Sequence, residues 1–179
     1  MSRDLSAFTG NAPLSLSRKI QLGIWYFVQH LIFKSIFTPS LLRPYLLRLF
    51  GASIGNSVLI RRGVRVHFPW KLEIGDNCWI GEEVWFINHE KIKVGTNVCI
   101  SQRSIICSSG HNYRTASLNY LHKPVTITDG AWICIDAKVL PGVTIGECSI
   151  VSSGEIARKS LPDYSILIDG QVCSITPPK

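Results

Sequence analysis

The chain has 179 residues, 46% of them hydrophobic and 17% charged, which suits a single soluble domain with a real core and excludes a low-complexity or disordered protein. Its formal charge of +7 is uneven: residues 1–50 hold six basic side chains against Asp4 alone, so the body carries no basic surface of the kind nucleic acid requires. Six cysteines without a CxxC pair, behind a start that does not read as a cleavable signal peptide, argue for reduced thiols in a cytosolic protein, most of them packed at small-residue positions.

Residues 1–50 form the first unit. Within it Ile20–Phe37, "IQLGIWYFVQHLIFKSIF", is the most apolar run, but Gln21, Gln29, His30 and Lys34 interrupt it and make a bilayer-spanning helix a poor fit. Basic flanks with Trp25, Tyr26 and three phenylalanines predict an amphipathic helix. It either lies at a membrane interface, giving a peripheral membrane contact through residues 18–50, or packs over the end of the main domain; the two are compatible.

From residue 51 a short period sets in. "ASIGNSVLI", "LEIGDNCWIG", "IKVGTNVCIS", "VTITDGAWIC" and "VTIGECSIVS" read alike; Ile54, Ile74 and Val94 are 20 residues apart, and Ile127 and Ile145 are 18 apart. A period-3.6 helix cannot keep an aliphatic side chain on one face at every sixth residue, whereas short strands turned after each hexad can. Three hexads close a triangular coil of about 18 residues, with Gly, Asn and Asp supplying the turns. The expected fold is thus mainly β, a parallel β-helix over residues 51–179, its 20-residue coils carrying two extra residues at a corner.

The repeat breaks once, in "ICSSGHNYRTASLNYLHKPV". A coil counted from Val94 ends at His111, and paired aliphatics return only at Val125 and Ile127. Residues 112–124 are therefore expected as a protruding loop with His111 at its root, where a rigid coil holds an imidazole beside a loop able to fold over a ligand. His67, His89 and His111 recur every 22 residues, but their offsets of 13, 15 and 17 from the coil starts imply that they drift around the coil and do not converge on a metal. No metal is called for, and His67 and His89 read as ordinary corner residues.

The pattern resembles the hexapeptide-repeat, left-handed β-helix acyltransferases over about five to six coils, Ser53–Ile168. It looks closest to the colanic-acid type of sugar O-acetyltransferase in "LRLFGASIG", "FPWKLEIGDNCWIGEEVW", "NVCISQRSIICSSGHNY" and "VLPGVTIG". That resemblance implies left-handed coiling, a homotrimer, and transfer of acetyl from acetyl-CoA to a sugar hydroxyl of a surface polysaccharide, on a sugar or lipid-linked sugar acceptor, in the cytoplasm or at the inner membrane face. It makes His111 the general base for direct transfer; by chemistry alone a backbone N–H or a hydroxyl such as that of Ser108 or Ser109 is a candidate to steady the oxyanion. Glu83, Trp79, Trp85, Tyr113 and Asn119 are the acceptor candidates, Glu83 as a partner for His111 or a sugar hydroxyl. Acetyl-CoA would run along the C-terminal coils past Trp132, Ile135, Ser153 and Lys159. The chain departs from the family at Cys134–Ile135 and at "DGQVCSI" from Asp169, both near the expected donor groove. A non-catalytic β-helix scaffold, or an acetyltransferase for serine or a small xenobiotic, are the alternative readings.

Overall fold

The computed structural model describes residues 3–10 and 13–176. From Ser53 onward the chain winds as a triangular β-solenoid of about six turns whose three walls are parallel sheets. The first wall stacks Ser53–Ile54, Leu72–Ile74, Ile92–Val94, Val125–Ile127 and Thr144–Ile145. The second stacks Leu59–Ile60, Trp79–Ile80, Cys99–Ile100, Trp132–Ile133, Ile150–Val151 and Ser165–Ile168. The third stacks Arg65–Val66, Trp85–Ile87, Ile105–Cys107, Lys138–Val139 and Ile156–Ala157.

Register explains the repeat. Ile54, Ile74, Val94, Ile127 and Ile145 are successive partners in the first wall, all buried, and Ile60, Ile80, Ile100, Ile133, Val151 and Leu167 form the matching column in the second. Strands of two or three residues have room for one or two inward side chains, and with the residue at the preceding corner two per hexad fill the core, as Val58 with Ile60 and Val98 with Ile100 do. Corners demand left-handed backbone: Ser57, Asn77 and Asn97 all take positive φ between the first and second walls. Gly75 is required for closeness, since a Cβ there would stand 2.7 Å from the Gly95 carbonyl oxygen of the next coil. The two extra residues of the long coils fall at the corner between the third and first walls, which in the first coil carries the 3-10 turn Pro69–Lys71.

Two helices close the first turn of the solenoid. Helix α1 (Leu16–Val28) is capped by the Ser15 hydroxyl, which accepts from the Arg18 N–H, and runs on into a π-helical turn, Gln29–Phe33. Its inner face buries Trp25 and Phe33 with Leu47 and Phe50 in the same core as the β columns. Polar contacts fix the seating: Trp25 Nε1 donates to the Val66 carbonyl at 2.8 Å, and Gln29 Oε1 accepts from the Val66 N–H at 2.7 Å. Helix α2 (Leu42–Leu49) carries the buried Arg43, whose guanidinium donates to the carbonyls of Phe33, Ser35 and Ile60. The packing alternative for the apolar run therefore holds for its inner face. Among the described residues no helix is long and apolar enough to cross a membrane.

At the far end, Asp169 and Gly170 both have positive φ and fold Gln171–Ser174 back antiparallel on Ser165–Ile168. "DG" here is a tight hairpin turn that ends the second wall. All six cysteines are free, Cys78 and Cys134 buried and Cys173 exposed.

Candidate active site

The chain leaves the solenoid after Ile105–Cys107 because Ser108–Lys123 offers no aliphatic at hexad spacing. It does so as an antiparallel ribbon. Leu121 N–H donates to the Gly110 carbonyl, Lys123 N–H to Ser108, and Asn112 N–H to Asn119, with His111 and Tyr120 forming a bridge between the two arms. The excursion thus begins four residues earlier than the repeat count implies, and His111 stands on a rung of the ribbon.

Ser108 roots this ribbon and is fully buried. Its hydroxyl accepts from the Glu90 N–H at 2.8 Å and lies within bonding distance of the Ile87 and Glu90 carbonyls. That commitment to the corner backbone corrects the expectation that Ser108 could reach an oxyanion.

His111 is exposed to solvent. Its Nδ1 lies 2.6 Å from the Leu118 carbonyl oxygen. A carbonyl can only accept, so Nδ1 carries the hydrogen in the neutral ring and the Nε2 lone pair is left for chemistry. Leu118 presents that carbonyl from a positive φ of 50°, a backbone conformation uncommon for a side-chain-bearing residue and here tied to the orientation of the imidazole.

From His111 a row of rings runs down the corner between the third and first walls. Centroid distances are 4.7 Å to Tyr120, 4.8 Å from Tyr120 to His122, 5.2 Å from His122 to His89 and 5.2 Å from His89 to His67. His67 Nδ1 and His89 Nε2 are hydrogen-bonded at 3.2 Å, and Trp85 follows with its ring 5.7 Å from His67 and the Arg65 guanidinium over it at 4.1 Å. The expectation that the histidines drift apart is corrected here. The corners of the first two coils are equally long, and His89, two register positions on from His67, still meets it ring to ring, while the ribbon returns His122 onto His89.

Burial, then the charges of neighbouring His67, His122 and Lys71, pull the His89 imidazole down to about 4. Burial chiefly lowers His67 and His122 as well. Near neutral pH these rings are uncharged stacking surfaces with hydrogen-bonding edges. Beside them a cavity of about 270 Å³ is lined by Leu14, Phe68, Trp70, Lys71, His89, Glu90 and His122. Among the described residues, no group of three or more His, Cys, Asp or Glu side chains is arranged to hold a metal.

The N-terminal segment lies across the ribbon. Arg3 donates to the Tyr113 and Thr115 carbonyls, Thr9 N–H donates to Asn119 Oδ1 at 3.2 Å, and Phe8 sits edge-on to Tyr120 at 5.1 Å. Tyr113 and Asn119 are therefore in the same ribbon as His111, and Trp85 joins it through the histidine row. Glu83 and Trp79 do not approach His111 within this chain. Glu83 occupies the corner between the second and third walls, where it lines a separate cavity with Lys34, Gly63 and Arg65, and Trp79 points out from the second wall. Trp132, Ile135, Ser153 and Lys159 are exposed on neighbouring C-terminal coils, with the Gly154 N–H donating to the Ile135 carbonyl at 2.9 Å. Sequence reading missed Tyr120, His122 and Phe8. The alternation of Tyr120 and His122 places both on one face of the ribbon, a signal visible only once an antiparallel arm is assumed.

No family model matches the chain. It is 36% identical over 163 residues to an Escherichia coli K12 protein assigned to colanic acid biosynthesis as the acetyltransferase WcaF, covering 89% of this chain and 88% of that one. It is 24% identical over 136 residues to the galactoside O-acetyltransferase of the same organism, covering 74% and 66%. Among solved structures, a hexapeptide-repeat acetyltransferase of Vibrio cholerae complexed with acetyl coenzyme A superimposes with a TM-score of 0.77 at 21% identity, over 93% of this chain and 92% of that one. That superposition on a left-handed β-helix gives the solenoid its hand.

Proposed function

Since the chain belongs to the hexapeptide-repeat acetyltransferases, we propose that it moves an acetyl group from acetyl-CoA to a hydroxyl of a sugar used in surface-polysaccharide synthesis. The observation that carries this reading is the His111 geometry: an exposed imidazole with Nδ1 fixed on the Leu118 carbonyl and Nε2 directed to chemistry. A sugar hydroxyl is a poor nucleophile until it loses its proton. On this reading Nε2 takes that proton as the hydroxyl oxygen bonds to the thioester carbonyl carbon. The tetrahedral adduct then collapses, the C–S bond breaks, and the imidazolium returns the proton to the departing thiolate. Holding donor and acceptor in one groove supplies the remaining advantage. No side-chain nucleophile is needed.

The cavity beside His89 and His122 suits a sugar. Phe68 and Trp70 offer ring faces for its apolar side, and neutral imidazoles and Lys71 offer partners for its hydroxyls. Tyr113 and Asn119 stand on the ribbon that carries His111, and Trp85 packs against His67. Trp132, Ile135, Ser153 and Lys159 would hold the donor along the C-terminal coils, Lys159 through a phosphate. The protein works as a trimer in the cytoplasm, where acetyl-CoA is available. Support for self-assembly comes from the second wall, whose outward column of Leu59, Trp79, Cys99, Trp132, Ile150 and Ile166 is apolar, whereas the first wall shows Ser53, Glu73, Lys93, Thr126 and Thr144.

Thermal unfolding with and without millimolar acetyl-CoA tests the donor half of this reading. At a hundred times its dissociation constant the ligand adds about 2.7 kcal/mol to stability. An unchanged melting temperature would favour a non-catalytic scaffold, whose donor groove was lost at Cys134–Ile135 and the Asp169–Gly170 hairpin.

A further inference from the structure

The two N-terminal helices have a second face that the solenoid does not use. At about 100° per residue, Leu16, Ile20, Ile24, Phe27 and Leu31 of α1 and its π-helical turn fall within about 80° of one another, on the side opposite the buried Trp25. All five side chains are exposed, Phe27 at 65%. The connection to α2 adds Ile36 and Phe37, the latter 91% exposed, and α2 continues the surface with Tyr45 and Leu49. Isolated exposed apolar residues need no explanation, but five on one arc of a helix, with Ile36 and Phe37 exposed just beyond it, mark a surface that is covered in use.

Charge identifies the cover. Residues 13–50 carry five Lys and Arg, of which Arg43 is buried, and no Asp or Glu. Lys19 and His30 border the apolar arc of α1, both exposed. A second copy of this chain laid on this face would set cation against cation, and the apolar second wall already offers a contact for copies. An amphipathic helix with large aliphatic and aromatic side chains on one arc and cations at its border is instead matched to an anionic bilayer surface. We infer that the outer face of α1 and α2 is a docking surface for anionic lipid bilayers, with the helices lying in the plane of the interface and Phe27, Leu31 and Phe37 entering it.

The inference does not rest on the acetyl-transfer reading, because binding to lipid is measured without turnover. Where both hold, they meet at one place. Leu14 lines the cavity of His89 and His122, two residues before the apolar arc begins at Leu16. A sugar carried on a lipid would reach that cavity from the bilayer surface.

Sedimentation with vesicles decides it. Full-length protein is mixed with phosphatidylcholine vesicles containing about 30% phosphatidylglycerol, and with phosphatidylcholine alone. Wild type is expected to sediment with the anionic vesicles and to be released by high salt. Phe27→Ser with Phe37→Ser removes two exposed rings and should weaken binding by about tenfold or more without lowering the melting temperature. Should that double variant misfold, Lys19→Glu with His30→Glu tests the same face through charge, with at least about tenfold weaker binding to anionic vesicles. Wild type remaining in the supernatant with anionic vesicles overturns the inference, as does binding that neither pair of changes weakens. A face covered by another copy would show itself as no sedimentation together with a lower solution mass for the Phe27→Ser, Phe37→Ser variant.

Discussion

At His111 one carbonyl, presented by a residue at positive φ, places the hydrogen on Nδ1 and leaves the lone pair on Nε2. The rings behind it respond to pH in a definite direction. Unfolded, the His89 imidazole takes up a proton near pH 6.5; folded, it does so only near pH 4. The stability tied to the neutral ring is therefore complete above about pH 6.5 and is lost as pH falls from there towards 4. His67 and His122 are lowered too and act with the same sign. Melting temperature measured across that window should fall for wild type and fall less steeply for His89→Gln; identical slopes would show that His89 is not held neutral by the fold. At this scale the sequence made His111 legible because a broken repeat singles out the residue at its edge. It hid Tyr120 and His122, which join the row only through ribbon pairing, and it made Ser108 look available when its hydroxyl is spent on a buried corner.

Among the elements, the helical cap depends on Arg43. The side chain is 2% exposed and donates to three carbonyls, two in the segment after α1 and one in the second wall of the first coil. Arg43→Ala leaves those acceptors buried and should cost about 3 kcal/mol or more, seen as an earlier urea midpoint. A midpoint within error of wild type would mean that the cap is held by Trp25 and Phe33 packing alone. The strands were legible as hexads because inward side chains recur every sixth residue along each turn, so period and core position coincide. The helix was legible as amphipathic, but two apolar arcs on one helix blur the pattern. Trp25, Gln29 and Phe33 face the solenoid while Leu16, Ile20 and Phe27 face outward, which is why packing and interface readings both fitted the same residues.

For the whole molecule, the solenoid supplies flat walls and the ribbon carries His111 and Tyr120, a division in which the scaffold's regularity makes the irregular part stand out. Its apolar second wall leads to a prediction about assembly: light scattering should give three times the 20.0 kDa chain mass, and a strictly monomeric protein would contradict the reading of that wall as a subunit contact. The fold was readable end to end except where corners lengthen or reverse, at Pro69–Lys71, at the ribbon and at the Asp169–Gly170 hairpin, since turn chemistry there does not follow the hexad. The most direct test of the account is the rate of acetyl transfer from acetyl-CoA to a sugar acceptor by wild type and His111→Ala, with donor binding followed by thermal shift in the same samples. The account predicts that the variant keeps the acetyl-CoA shift and loses about 10²–10⁴-fold in kcat; a variant that turns over at the wild-type rate would contradict it.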